Sequence, residues 1–288
     1  MKMYWTGSHV SIGKGFREAA RTALSQGGRA FQYFPKNPRS LSVKSFDPGD
    51  AAGCRLFCEQ NGIVSIAHAP YPVNLAASDK DQADRTIASL VNDLVIAEHC
   101  GSAGVVVHFG IYKGSDILQG YRNMIHCLDS TLAQWEGKAK LLIENNSGEH
   151  ALMGMTFEEL AQIRQLCRYP EKIGFCLDTC HLFASGIWDG TGEDWLETAR
   201  STGVMDALTA VHLNDSRYPS GSRRDRHQFI GEGEIGEDAF RRFLSIGEVR
   251  NVPIVLETPR EADGTHSNQI KKINEWMRQT ENDMESGD

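Results

Sequence analysis

Short apolar, β-branched runs recur along the chain, and each gives way to a longer segment whose apolar positions repeat with helical spacing. The runs predict strands at Met3–Trp5, Ala30–Phe34, Ile63–His68, Gly104–His108, Ala139–Glu144, Ile173–Asp178, Ala207–Leu213 and Pro253–Glu257. The intervening segments predict helices at Gly15–Ser25, Gly49–Asn61, Lys80–Cys100, Ser115–Glu136, Thr156–Arg168, Glu193–Ser201, Asp238–Ile246 and Ser267–Thr280. Eight strands alternating with eight helices is the pattern of an α/β protein built as a single (β/α)8 TIM barrel. No Pro/Ser/Gly-rich linker divides the chain, so one domain is expected over residues 1–280, with residues 281–288 as an acidic, frayed tail. The loops after strands 2, 3 and 7 are long, which puts extra structure on one face of the barrel.

Composition narrows the class. With 40% hydrophobic residues in 288, the chain can bury a large single core. No stretch reaches the roughly 18–20 consecutive apolar residues of a membrane span, and Met1–Trp5 lacks the features of a secretory signal. A soluble, cytoplasmic protein without a membrane partner is expected. The seven cysteines, at 54, 58, 100, 127, 167, 176 and 180, are odd in number and scattered, and are expected to be reduced and buried.

The candidate chemistry lies where the strands stop. His68, His108, Glu144 and Asp178 close the third to sixth strands, His212 lies near the end of the seventh, and Glu257 closes the eighth. All strands of a parallel barrel aim their C-terminal ends at one face, so side chains spread along the sequence should converge there. A lone histidine closing an apolar run is more often a hydrogen-bonded core or loop residue. Six such residues in succession are hard to obtain by chance, and His181, Asp225 and His227 add three more. Carboxylate with neutral imidazole suits zinc and its neighbours, and nine donors exceed what one or two tetrahedral sites need. Three ions sharing a carboxylate fit better. His9 closes the first strand on the same face, but it is left as a support for the ligands or a contact to substrate.

The net charge of −8 argues at first sight against a nucleic-acid partner. Three divalent ions would offset most of it. Arg217, Arg223, Arg224 and Arg226 also crowd one loop, and Lys36, Arg39 and Lys44 another. A locally electropositive face is compatible with the overall sign.

At these residues the chain resembles the endonuclease IV family, zinc-dependent apurinic/apyrimidinic endonucleases. The similarity runs from Gly7-Ser8-His9-Val10-Ser11 to Glu257-Thr258-Pro259. It is densest at Leu177-Asp178-Thr179-Cys180-His181, at His212-Leu213-Asn214-Asp215-Ser216 and at Asp225-Arg226-His227 with its Ile-Gly-Glu-Gly turn; His68-Ala69-Pro70-Tyr71 and Glu144-Asn145 also match. The resemblance implies three zinc ions, with manganese or iron able to replace zinc at one position. His68, His108 and Glu144 would hold the first. Glu144, Asp178, His212 and Glu257 would hold the second, with Glu144 bridging and activating the nucleophile. His181, Asp225 and His227 would hold the third. It further implies a monomer acting on duplex DNA with an abasic site or a blocked 3′ end. Arg39 and Tyr71 match DNA-probing positions. Pro72 stands where the family often has a larger aliphatic, and Asn145–His150 departs from its usual threonine-alanine-glycine-glutamine run. Arg223, Arg224 and Arg226 are expected to contact phosphates.

Hydrolysis of a phosphodiester needs a strong nucleophile, neutralised phosphate oxygens and a stabilised leaving oxygen, which a cluster of divalent ions can provide. The rival expectation is a single-metal sugar isomerase or epimerase on the same barrel, for which Glu144, Asp178, His212 and Glu257 would suffice. A barrel that binds DNA without cutting it should have lost ligands, and none is missing.

Overall fold

The computed structural model describes residues 4–286. Strands β1 (Thr6–His9), β2 (Ala30–Tyr33), β3 (Val64–His68), β4 (Gly104–His108), β5 (Lys140–Glu144), β6 (Ile173–Asp178) and β7 (Leu208–His212) pair in parallel in chain order. A short ribbon of β8 (Asp215–Ser216) and β9 (His227–Gln228) follows, and β10 (Ile254–Leu256) then pairs with both β7 and β1 to close the barrel. Outside it run α1 (Phe16–Ser25), α2 (Pro48–Asn61), α3 (Lys80–Cys100), α4 (Ile117–Leu132), α5 (Phe157–Leu166), α6 (Thr179–Ser185), α7 (Asp194–Ser201), α8 (Gly236–Ser245) and α9 (Ser267–Ser286).

The helices begin where the sequence supplies caps. Asp47, Asp79 and Asp116 accept hydrogen bonds from first-turn amides of α2, α3 and α4, and Thr156 with Glu159 forms a capping box on α5. Pro48 opens α2, and left-handed glycines at 62 and 101 terminate α2 and α3.

The period-2 alternation of a strand explains both the core and the site. Ala30, Ile66, Val106, Leu142, Cys176, Ala210 and Val255, one from each of seven strands, form a fully buried cluster inside the barrel. Two residues further along the chain from each, on the same face, stand Gln32, His68, His108, Glu144, Asp178, His212 and, just past the end of β10, Glu257. One polar layer therefore sits directly on the last apolar layer, at the C-terminal mouth. In β1 the corresponding residues are Gly7 and His9, which completes the ring of eight. A Cβ at Gly7 would lie 1.7 Å from the carbonyl oxygen of Ala30, so the β1–β2 pairing requires glycine there.

Four expectations change. The first strand is Thr6–His9, not Met3–Trp5: Tyr4 packs beneath Arg250, whose guanidinium carbon lies 5.5 Å from its ring centre, and Met3 lies outside the described residues. The last helix passes the expected end at Thr280 and runs to Ser286, and Glu281 is paired with Arg250 at 2.6 Å. The eighth barrel strand stops at Leu256, one residue before Glu257. The helix α6 and the β8–β9 ribbon, absent from the expected element order, lie next to the site.

Candidate metal centre at the barrel mouth

Glu144 stands at the middle of the polar layer, buried at the end of β5. Its Oε2 lies 3.3 Å from His108 Nε2 and 3.7 Å from His68 Nε2, and its Oε1 lies 3.0 Å from His212 Nδ1. The carboxylate thus faces two groups of donors with its two oxygens. His68, His108 and Glu144 form one compact group, and Glu144, Asp178, His212 and Glu257 form another, the donor atoms of each lying within 4.8 Å of one another. Both coincide with sets expected from the sequence. His108 is the most accessible of these, with 49% of its side chain exposed.

The third expected set gathers around Asp225. Its Oδ2 lies 3.1 Å from His181 Nε2 and its Oδ1 lies 3.0 Å from His227 Nε2. This corner is richer than expected. Asp178 approaches to 3.9 Å from His227 Nε2, Cys180 Sγ lies 4.0 Å from Asp225 Oδ1, and the compact groups are Asp178–His181–His227 and Cys180–Asp225–His227.

The hydrogen bonds behind these side chains set their protonation. Nδ1 of His68 donates to Ala69 O at 2.7 Å, Nδ1 of His181 to Asn145 O at 2.8 Å, and Nδ1 of His227 to Glu257 O at 3.2 Å. A carbonyl only accepts, so each neutral ring turns an unprotonated Nε2 towards carboxylate oxygens. Lone pair would face anion unless a cation or a second proton intervened. Glu144 Oε2 and His227 Nε2 are buried without a hydrogen bond, which is how groups reserved for a cation look. The donors, all imidazole and carboxylate but for Cys180, fit zinc-like divalent ions.

The electrostatics agree. Burial favours the neutral form of Glu144, yet the imidazoles of His212 and His108 outweigh it and hold the carboxyl well below its usual range. Burial opposes charge on His227, but the neighbouring carboxylates of Asp225 and Asp178 raise it to about 9. Glu257 is pulled down to about 2 against its burial by His212 and His68. Positive charge is wanted here, and protons or bound cations can supply it.

Three residues to which sequence reasoning assigned no role of their own, Asn214 and Asn145 within the matching motifs and Gln32 outside them, hold the candidate ligands in place. Asn214 donates to Asp178 Oδ2 at 2.6 Å and accepts from the Glu257 amide at 2.8 Å. Asn145 brackets Asp178, accepting from its N at 2.8 Å and donating to its O at 3.2 Å. Gln32 donates to Glu257 Oε1 at 2.6 Å and accepts from His212 Nε2 at 2.7 Å, leaving His212 Nδ1 for the carboxylates. The signal for Gln32 was an amide inside the buried strand Ala-Phe-Gln-Tyr, two residues past an apolar inward position.

Comparison with known proteins locates this arrangement. A family model described as a xylose isomerase-like TIM barrel matches residues 20–280. A protein named probable endonuclease 4 from Symbiobacterium thermophilum is 41% identical over 265 residues, covering 92% of this chain and 96% of that protein. The crystal structure of endonuclease IV from Thermus thermophilus superposes with a TM-score of 0.82 at 31% identity, over 95% of this chain and 99% of that one. The chain belongs to the endonuclease IV family. A D-tagatose 3-epimerase-like protein also superposes, with a TM-score of 0.72 over 96% of this chain and 99% of that one; at 18% identity it shares the fold alone.

In this endonuclease IV family member Tyr71 lines the cavity that also holds His68, His108 and Glu144. Tyr71 is 64% exposed and packs its ring 5.2 Å from Phe34, which in turn lies 5.4 Å from the His68 ring. The Tyr71 amide donates to Pro38 O at 2.8 Å, tying this loop to the one that carries the exposed Arg39. Pro72 is half-buried beside it. Arg223 and Arg224 are exposed; Arg223 holds a left-handed backbone (φ 57°), and the Arg224 guanidinium carbon lies 4.7 Å from the Tyr218 ring centre. Arg226 is exposed and is held by both carboxylate oxygens of Glu149. The seven cysteines are free and buried.

Proposed function

We propose that this endonuclease IV family member is a metal-dependent phosphodiesterase of DNA repair. It would hydrolyse the phosphodiester 5′ to an abasic site in duplex DNA, leave 3′-hydroxyl and 5′-deoxyribose phosphate ends, and trim blocked 3′ ends. The observation that carries this reading is the position of Glu144 between two donor groups. A single-ion epimerase needs only Glu144, Asp178, His212 and Glu257. It has no use for His68 and His108 on the other oxygen of Glu144, nor for His181 and His227 around Asp225.

His68, His108 and Glu144 would hold a first zinc, Glu144, Asp178, His212 and Glu257 a second, and His181, Asp225 and His227 a third, with manganese or iron tolerated at one position. Bound there, the ions would supply the Lewis acidity that activates water, neutralises the phosphate and stabilises the departing 3′ oxygen. The chain itself does the positioning. Backbone carbonyls fix the His68, His181 and His227 tautomers, Gln32 fixes that of His212, and Asn214 and Asn145 hold Asp178 rigid. Exposed Tyr71 and Arg39 at the rim suit contact with a nucleotide drawn from the duplex, which an abasic residue permits at low cost. Arg223 and Arg224 suit backbone phosphates.

No helix among the described residues is long and apolar enough to cross a membrane. A monomer acting in the cytoplasm, at the nucleoid, fits this reading, with residues 1–280 as the catalytic domain. The test is a labelled duplex carrying one tetrahydrofuran abasic analogue, incubated with zinc-loaded protein and sized. That analogue cannot undergo β-elimination, so a cut 5′ to it with a 3′-hydroxyl supports hydrolysis. Absence of cutting, with turnover of a ketose by the same preparation, would favour the epimerase.

A further inference from the structure

Of the ring of eight residues at the barrel mouth, the proposed reaction uses six as ligands and Gln32 as a support, which leaves His9 without a task. Its proton can be located from its neighbours. Glu257 Oε1 only accepts, so the end of Gln32 that touches it at 2.6 Å is the amide nitrogen, and this same nitrogen lies 3.1 Å from His9 Nδ1. His9 Nδ1 is therefore the acceptor and His9 Nε2 carries the hydrogen. No acceptor among the described residues takes that hydrogen. The ring is held against Phe34, with centres 4.6 Å apart. His9 is thus an oriented, neutral donor left free at the edge of the site.

His9 also lines two cavities at once. One, of about 330 Å³, is the reaction cavity with Glu144, His108 and His227 in its wall. The other, of about 420 Å³, opens beside it and shares His9, Arg260 and His266. The far wall of this second cavity is the β1–α1 turn with Ser11, Gly13 and Lys14. Lys14 and Arg260 are both exposed. Glu18, the acid in that wall, lies 3.4 Å from Arg21. The second cavity therefore has two cations and the donor ring of His9 in its wall, in a volume of the order of a sugar-phosphate unit, and shares His9, Arg260 and His266 with the reaction cavity.

We propose that this second cavity is a phosphate subsite: it seats the backbone phosphodiester that neighbours the cleaved one, held by His9 Nε2–H, Lys14 and Arg260. The proposal rests on the reading of the site as DNA-cleaving. In a molecule of net charge −8 it supplies a local attraction that fixes the register of the strand against the metal centre, so it acts on binding more than on the chemical step.

The test begins with cleavage of the tetrahydrofuran duplex by the unaltered, zinc-loaded enzyme, because failure at that step removes the proposed function and not the subsite alone. Three variants follow: K14A/R260A, His9→Asn and His9→Gln. Asparagine keeps an acceptor where Nδ1 stood and cannot reach as far as Nε2, whereas glutamine can place an N–H near the Nε2 position. K14A/R260A should flatten the dependence of log affinity on log salt by about 2 and raise KM by about ten-fold or more with kcat within about two-fold. His9→Asn should raise KM by about ten-fold, and His9→Gln should recover most of that. Zinc content and thermal midpoint should match the unaltered protein in all three. An unchanged salt slope in K14A/R260A, or equal behaviour of the two His9 variants, would overturn the subsite. Loss of zinc in His9→Asn would also overturn it, by showing that His9 acts through Gln32 on the ligands.

Discussion

Glu149 grips the guanidinium of Arg226 with both carboxylate oxygens, at 3.0 and 3.1 Å, and the oxygen at 3.0 Å also accepts from the Asp225 amide at 3.0 Å. One side chain from the loop after β5 thus holds the loop that carries Asp225 and His227. An exposed ion pair contributes little to stability, roughly 0–1 kcal/mol, so its effect should fall on the position of Asp225. Glu149→Ala should leave the thermal midpoint within a few degrees while one zinc becomes more readily stripped by a chelator. Glu149→Gln, which keeps an acceptor for the Asp225 amide, should lie between the two. Equal zinc-release rates in all three proteins would remove Glu149 from the site.

Glu144 is the residue on which the two-group arrangement turns. Glu144→Gln keeps size and one acceptor but loses the charge that lets both oxygens face cations. Cleavage should fall at least about 10³-fold, with the far-ultraviolet circular dichroism unchanged because the residue lies above the apolar layer of the barrel. His68→Ala should behave alike. Turnover within ten-fold of normal in either variant would refute a bridging role.

Gln32 is fully buried and lies outside the lining of the reaction cavity, yet it sets the His212 tautomer and the orientation of Glu257. Gln32→Ala should lower zinc affinity or activity by about 10–100-fold, the usual effect of removing a group that orients a ligand. Gln32→Glu should do worse than alanine, because a carboxylate would face Glu257 Oε1 at 2.6 Å. Competition with a zinc-binding dye reads this directly.

How far the sequence reveals such a site depends on where the signal is local. Six strand ends, each apolar until a ligand-type residue, marked the mouth, and β3, β4, β5 and β6 end where the pattern stops. Gln32 escaped notice because a single amide in an apolar strand has no chemical signature, and its role exists only once β2 lies beside β1, with β10 and β7 beyond. The first strand was misplaced because Tyr4 and Trp5 look more strand-like than Thr6-Gly7-Ser8-His9, although sterics at Gly7 decide the pairing. The clasp of Glu149 on Arg226 joins loops 77 residues apart and has no periodicity to betray it.

Lys36 and Asp93 form an ion pair of 2.7 Å with side chains 2% and 0% exposed, beneath the loop that carries Arg39. Burial pushes the Asp93 carboxyl up to about 7 in spite of Lys36, so the pair is held against a large desolvation cost. Asp93→Asn strands the lysine charge and should cost roughly 3–5 kcal/mol in urea unfolding. The double replacement Lys36→Met with Asp93→Leu should recover most of that loss. If the double variant is as unstable as the single one, shape rather than charge governs this contact.

Tyr71 separates recognition from chemistry. Its ring is 64% exposed, touches Phe34, and stands outside all the candidate ligand groups. Base–aromatic stacking contributes about 1–3 kcal/mol, so Tyr71→Ala should weaken binding to the abasic duplex by roughly 5- to 150-fold while zinc content stays unchanged. Tyr71→Phe should bind nearly as well as the parent, because the ring face and not the hydroxyl is the expected contact. Titration of labelled duplex, followed by metal analysis of the same samples, distinguishes the outcomes. A large loss of zinc in Tyr71→Ala would place the ring among the supports of His68, reached through Phe34, instead of at the DNA.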